Sequence, residues 1–108
     1  MTNYRKQIFC EVLILGGGGA GLTAAIIASK QGFKTYVISK SEILQSHTIA
    51  AQGGINAALD PADDWRFHAY DTVKSGDYLA DQDSVATMCY HAPEAIAWLK
   101  ELGVDNPA

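Results

Sequence analysis

The sequence predicts an α/β protein: a parallel βαβ unit followed by helices, forming an incomplete part of a larger doubly wound domain. Three observations predict it. A β-rich apolar run at residues 8–15 leads directly into four consecutive glycines, Gly16 to Gly19. A helix-length apolar stretch and a second short β-rich run follow by residue 39. No third strand pattern appears after that, whereas parallel sheets are covered on both faces and need more than two strands to stand alone.

Each element follows from local pattern. IFCEVLIL (8–15) is bounded by charge before and glycine after, which reads as a buried strand. LTAAIIASKQ (22–31) is apolar on most faces and closed by Gly32, a glycine helix stop. KTYVIS (34–39) is a second strand, and the crossover makes the two strands parallel. Residues 40–63 lack periodicity and are punctuated by Gly53–Gly54 and Pro61. Loops of this length in compact domains are usually functional or disordered, and the low charge with many small apolar residues favours a packed, functional one. A short helix is expected over 54–59. Trp65, His68, Ala69, Thr72 and Val73 give residues 64–75 one apolar helical face, with Asp63 or Asp64 as cap. Val85, Met88, Cys89, Ala92, Ile96, Leu99 and Leu102 carry a helical period from near Asp81 to the stop at Gly103. Pro93 predicts a kink or two abutting helices around His91–Pro93. Trp65, Trp98 and Met88 read as core, His68 as a satisfied, half-buried histidine and His91 as a helix-end residue. Asp77, Asp81 and Asp83 read as capping residues rather than a cation site.

Composition narrows the function classes. The chain has 108 residues, a net charge of −4, 48% hydrophobic and 19% charged residues, which is an ordinary globular composition. An acidic chain argues against sequence-independent nucleic-acid binding. Cys10 and Cys89 are far apart and fit no ligand spacing, so no metal site or disulfide framework is expected. No apolar run reaches the roughly 18 residues of a membrane-spanning helix, and no secretory signal is evident. The charge is asymmetric: residues 1–59 sum to +3 and residues 60–108 to −7. The glycine-rich half is therefore the half that tolerates an anionic ligand.

The spacing Gly16-x-Gly18-x-x-Gly21 is the dinucleotide fingerprint, in its required place between a strand and a helix. Gly16 permits the tight turn, Gly18 lets backbone approach a pyrophosphate, and Gly21 permits close helix–strand packing. Gly17, Gly19 and Ala20 share the loop, whose helix start presents free N–H groups to phosphate. The alternative is a glycine-rich turn in an unrelated α/β protein. The acidic residue expected about 20 residues further on is absent. Ser39 and Lys40 stand there instead, one able to bond a ribose hydroxyl and the other able to face a phosphate.

LGGGGAGLTAA, ISK, SHTIAAQGGINAAL and DDWRFHAYDTVKSGDYLADQD together resemble the flavoprotein subunit of succinate dehydrogenase and fumarate reductase, over about residues 10–103. The resemblance implies a Rossmann-like FAD-binding unit, with residues 1–108 as the N-terminal part of an FAD-binding domain whose capping and C-terminal domains are absent. It implies that His47, within Ser46-His47-Thr48, is bonded covalently to the 8α carbon of FAD. Histidine suits that link because a neutral imidazole can attack the electrophilic tautomer that the 8α methyl forms on losing a proton. The substituent withdraws electrons and raises the flavin potential, which matters because succinate is a poor hydride donor. Ala51, Gln52, Gly53 and Gly54 match the segment along the isoalloxazine ring, with Gln52 and Gly53 nearest the dicarboxylate. The family position of Gln52 often carries Glu in fumarate reductases and Gln in succinate dehydrogenases, so it leans toward succinate oxidation. Glu42-Ile43-Leu44-Gln45 departs from the Pro and Arg common before Ser-His-Thr.

The resemblance also implies succinate and fumarate as substrate and product, an iron–sulfur subunit as electron acceptor, transfer to quinone and membrane anchor subunits. It places the chain on the cytoplasmic face of the inner membrane, or the matrix side in a eukaryote. The family's arginine base matches nothing within residues 1–108, so no catalytic residue is assigned and the isolated segment is expected to be inactive. Fumarate reductase and L-aspartate oxidase flavoproteins are the enzyme alternatives, the latter normally lacking the linking histidine. A non-catalytic nucleotide-binding module is the alternative of another class.

Overall fold

The computed structural model describes residues 5–51 and 53–104. In chain order the elements are β1 (Val12–Leu15), α1 (Gly19–Lys30), β2 (Thr35–Ile38), a 3-10 turn (Ile43–Gln45), α2 (His47–Ala50), α3 (Trp65–Ser75) and α4 (Gln82–Glu101). The chain divides into two compact units, residues 1–53 and 54–108.

The first unit is the expected βαβ. β1 and β2 are parallel, with Val12 opposite Thr35 and Leu15 opposite Ile38. β1 is shorter than the apolar run because β2 begins only at Thr35, so residues 8–10 have no strand to pair with among the described residues. The strand entrance is fixed by Glu11, whose Oε2 accepts the Lys34 N–H at 2.8 Å. α1 starts three residues earlier than the apolar pattern, inside the glycine run. It ends in a Schellman motif: Gly32 (φ +88°) donates to Ser29 O at 3.0 Å and Phe33 to Ala28 O at 3.2 Å.

Strand alternation sorts the sheet into two faces. Val12, Ile14, Thr35 and Val37 are half-buried, while Leu13, Leu15, Tyr36 and Ile38 are exposed. α1 packs on the sheet, and one apolar face stays open, Leu15 at 77% exposure. A parallel sheet with a bare apolar face is unfinished by the rules that govern such sheets.

The expected helix over 54–59 does not form. Those six positions have no regular structure, and the helical turn lies earlier, at α2. A six-residue segment opening on Gly54 nucleates poorly, and Asp60 turns the chain just after it by accepting the Ala62 N–H at 2.8 Å.

The second unit is the α3–α4 pair. Asp64 caps α3, accepting the Arg66 N–H at 2.8 Å, and its Oδ2 pairs with Arg66 Nη1 at 3.0 Å. α3 also closes in a Schellman arrangement, with Asp77 donating to Lys74 O at 3.1 Å and Tyr78 to Val73 O at 3.0 Å. The left-handed positions fall on Asp77 (φ +52°) and Tyr78 (φ +60°), not on the adjacent Gly76. Each non-glycine residue in that region costs about 1 kcal/mol.

α4 is one continuous helix, not two. Pro93 removes the N–H that would bond the Cys89 carbonyl, yet the two buried side chains of the helix, Cys89 and Ile96, flank it. α4 packs against α3. His91 is accordingly mid-helix rather than at a helix end, with Nδ1 3.4 Å from Glu94 Oε2. The Trp65 and Tyr90 rings meet edge to face at 5.5 Å. Met88 and Leu102, expected in the buried stripe, are about half exposed, and Trp65 and Trp98 are half-buried. His68 is half-buried, but its buried Nδ1 has no hydrogen-bond partner, so it is not the satisfied histidine expected.

Asp81 caps α4 by accepting the Ser84 N–H at 2.8 Å. Hydrogen bonds from the Ser84 backbone and side chain hold its carboxyl below the usual 3.8. A depressed carboxylate stabilises the fold above its unfolded value and loses that contribution as pH falls through the folded one. Asp81→Asn keeps an uncharged cap. The expected result is a shallower fall of Tm between about pH 5 and pH 3 than in the native chain, read by thermal unfolding across that range.

Candidate functional site

Geometry requires two of the three fingerprint glycines, Gly16 and Gly21. Gly16 sits at φ +121° and continues the β1–β2 pairing through its N–H to Ile38 O at 2.8 Å. A left-handed position directly after a strand is where a side chain is least tolerated. A Cβ on Gly21 would overlap the Gly16 carbonyl oxygen outright and would lie 3.3 Å from Ile14 Cγ2. Gly18 is the N-cap of α1, and a Cβ there would find only Thr48 Oγ1, at 3.5 Å.

The start of α1 fits an anionic group. Gly18 supplies no side-chain cap, and no acidic residue occupies the first turn. The first N–H groups of a helix have no intrahelical acceptor, and the positive end of the helix dipole lies there. One of them, on Gly19, is taken by Thr48 Oγ1 at 2.9 Å. Those on Ala20 and Gly21 belong to the same first turn. Thr23 returns its hydroxyl to Gly19 O at 2.7 Å, which secures the turn from inside.

The two remaining glycines of the run face protein. A Cβ on Gly17 would stand 3.0 Å from Ile43 Cγ1 and 3.3 Å from the Ser39 Cβ and Oγ. A Cβ on Gly19 would stand 3.1 Å from Thr48 Cγ2. The neighbours of such added groups are the end of β2, the 3-10 turn and α2. No local signal announces this, because the contacts join residues far apart in the chain.

Of the rest of the expected set, Ser39 and Thr48 lie beside the same turn. Ser39 and Lys40 follow the last residue of β2 and are exposed, at the carboxyl end of the parallel strands, where ligands of open α/β sheets bind. Ser39 Oγ accepts the Ser41 N–H at 3.4 Å. Ser46 is half-buried, His47 opens α2 and is exposed, and Thr48 follows it. Ala51 is exposed and donates its N–H to Thr48 O at 3.4 Å. Gln52 lies outside the described residues. A Cβ on Gly53 or Gly54 would meet nothing within 4 Å, so the chain itself sets no demand for glycine there. Among the described residues no group of three or more His, Cys, Asp or Glu side chains could hold a metal ion, and no helix is long and apolar enough to cross a membrane.

The second unit holds its own cavity of about 840 Å³, lined by Ile55, Phe67, His68, Asp71, Ile96 and Lys100 among others. None of the expected cofactor residues except Gly54 lines it.

Comparison with known proteins agrees with the geometry of the first unit. The family model described as an FAD binding domain matches residues 11–108. The succinate dehydrogenase [ubiquinone] flavoprotein subunit of Oryza sativa is 53% identical over 96 residues, which are 87% of this chain and 15% of that protein. The 8-methylmenaquinol:fumarate reductase flavoprotein subunit of Wolinella succinogenes is 46% identical over 99 residues, 88% of this chain and 16% of that protein. Among solved structures, the FrdA chain of Escherichia coli quinol fumarate reductase superposes with a TM-score of 0.79 at 38% identity, over 91% of this chain and 18% of that one. The Sdh1 complex of Mycobacterium smegmatis gives a TM-score of 0.81 at 32% identity, over 91% of this chain and 17% of that one. The chain thus spans about one sixth of the length of the curated relatives it matches. It belongs to the FAD-binding domain family, as the FAD-binding segment of flavoprotein subunits of the succinate dehydrogenase and fumarate reductase type.

Proposed function

We propose that residues 1–108 are the N-terminal FAD-binding part of a succinate dehydrogenase flavoprotein subunit, and that His47 carries the flavin covalently at its 8α carbon. The observation that carries the reading is the 2.9 Å bond from the Gly19 N–H to Thr48 Oγ1, which ties the histidine-bearing turn to the dinucleotide turn. Pyrophosphate would take the free first-turn N–H groups of α1, Ser39 would bond the ribose and Lys40 would face a phosphate, while the family resemblance assigns Ala51, Gln52, Gly53 and Gly54 to the ring and, of these, Gln52 and Gly53 to the dicarboxylate. FAD supplies a two-electron acceptor for the hydride of succinate. In forming the link, a C–N bond replaces the imidazole N–H and one 8α C–H. The two hydrogens and two electrons stay on the ring system until an acceptor such as dioxygen or quinone removes them.

Gln52 favours succinate oxidation over fumarate reduction. The Wolinella and Escherichia coli matches keep fumarate reductase as the second reading. The capping and C-terminal domains, the catalytic base, an iron–sulfur subunit and membrane anchors lie outside these residues, with the complex at the cytoplasmic or matrix side of the membrane. The bare face of the β1–β2 sheet supports a domain completed by further chain. The test is flavin fluorescence on a denaturing gel of the gene product carried to its natural stop codon, with a succinate–quinone assay beside it. A fluorescent band and succinate turnover are expected. A dark band from yellow protein would contradict the covalent link and favour an aspartate oxidase-like enzyme. Turnover by residues 1–108 alone would contradict the absence of a catalytic base.

A further inference from the structure

Four consecutive glycines exceed what a dinucleotide turn needs. The fingerprint accounts for Gly16, Gly18 and Gly21, and leaves Gly17 and Gly19 without a role. The structure gives each a close side-chain neighbour. Gly17 leaves room for Ile43 and Ser39, and Gly19 leaves room for the Thr48 methyl. Methyl groups in place of either hydrogen would stand at 3.0–3.1 Å from those side chains, closer than ordinary van der Waals contact. Into this space the chain places a hydrogen bond across 29 residues, from the Gly19 N–H to Thr48 Oγ1 at 2.9 Å. Two independent features, a steric recess and a polar tie, therefore meet on one side chain adjacent to His47.

We propose that Thr48 is a positioning residue for flavin attachment: its bond to Gly19, with its methyl seated in the space that Gly19 leaves, sets the register of His47 against the dinucleotide turn. The inference rests on the covalent reading above. The physical need is clear. His47 is exposed on a four-residue helix, and so short a helix holds no fixed place by itself. The flavin, in contrast, is anchored at its far end by the start of α1. Bond formation requires the imidazole and the 8α carbon to be held in near-attack geometry, and misplacement by about 1 Å costs such reactions heavily. Thr48 ties the nucleophile's helix to the element that anchors the electrophile. The bond uses a lone pair of Oγ1 and leaves the hydroxyl proton to donate elsewhere.

The test uses the full-length flavoprotein and compares covalent with total flavin at a fixed time after FAD addition to apoprotein. Thr48→Val keeps the shape and removes the acceptor. Its covalent fraction falls about fivefold, within the range that one ordinary hydrogen bond supplies, while noncovalent FAD is still released on denaturation. Thr48→Ala adds no bulk and carries the same expectation if the valine variant folds poorly. Thr48→Ser restores the fraction to within about twofold. Gly19→Ala, which pushes the Thr48 methyl away, also lowers it. Covalent labelling of Thr48→Val or Thr48→Ala at the native rate would overturn the proposal. So would equal failure of Thr48→Ser, or loss of all FAD in parallel with the covalent fraction. A native protein without covalent flavin would overturn the reading beneath it, and is told apart because the unmodified control is itself dark.

Discussion

His47→Ala in the full-length protein is expected to abolish flavin that survives denaturation while leaving FAD bound before it. The substitution removes no packing, because His47 is exposed at the start of α2. The features that fit pyrophosphate lie elsewhere, at Gly18 and the first turn of α1. Binding and attachment therefore separate. Activity should follow the lost bond. The histidyl substituent draws electrons from the ring, and a two-electron potential lower by about 30 mV shifts the succinate equilibrium about tenfold. Succinate oxidation falls by at least that factor, fumarate reduction falls less, and gel fluorescence together with the two assays reads all three quantities. Covalent flavin persisting in His47→Ala would move the attachment to another residue.

The second large effect is at Gly21. Its Cβ would overlap the Gly16 carbonyl, with the Gly16 carbonyl carbon 3.0 Å away. Both partners are backbone at the tightest point of the turn, so no rotamer change relieves the clash. Gly21→Ala is expected to cost about 3 kcal/mol, and a loss of that size spent on the binding geometry corresponds to roughly 100-fold weaker FAD binding. Gly53→Ala is the contrast, since a Cβ there meets nothing within 4 Å. It should leave Tm within about 1 °C, consistent with a surface change below 0.5 kcal/mol or so. Isothermal titration of the apoprotein with FAD reads the loss at Gly21, and thermal unfolding distinguishes the two positions. An unaffected Gly21→Ala would refute the close packing of α1 on β1.

How much was legible follows from the range of each interaction. The βαβ unit, its parallel strands and the roles of Gly16 and Gly21 depend on a strand, a turn and a helix in immediate succession, and local pattern reports such order. The caps Asp64 and Asp81 and the stops at Gly32 and Gly103 are local too, and appear as read. The 3-10 turn and α2 were hidden because short helices carry no periodicity. What holds α2, the Thr48–Gly19 bond, spans 29 positions. Pro93 shows the opposite: a local rule predicts a break, yet α4 runs on through it while packed against α3, with only one backbone bond to lose. Met88 and Leu102 kept the period of a buried stripe without being covered, since periodicity shows which side is apolar and not whether another surface lies on it. The candidate residues Ser39, Lys40, Ser46, His47, Thr48 and Ala51 are readable only as a set of motifs in family order, and the approach of Ser39 and Thr48 to the glycine turn is a product of the fold.

If His47 carries the flavin, as proposed, the attachment is readable in a single peptide. The most direct measurement is mass spectrometry of tryptic peptides from the natural full-length protein. The cleavage sites Lys40 and Arg66 isolate residues 41–66, which contain His47 and no other histidine. The account predicts flavin mass on that peptide, localised to the His47 imidazole. Flavin found on a different peptide, or recovered only in free form from protein that bound it, would contradict the account.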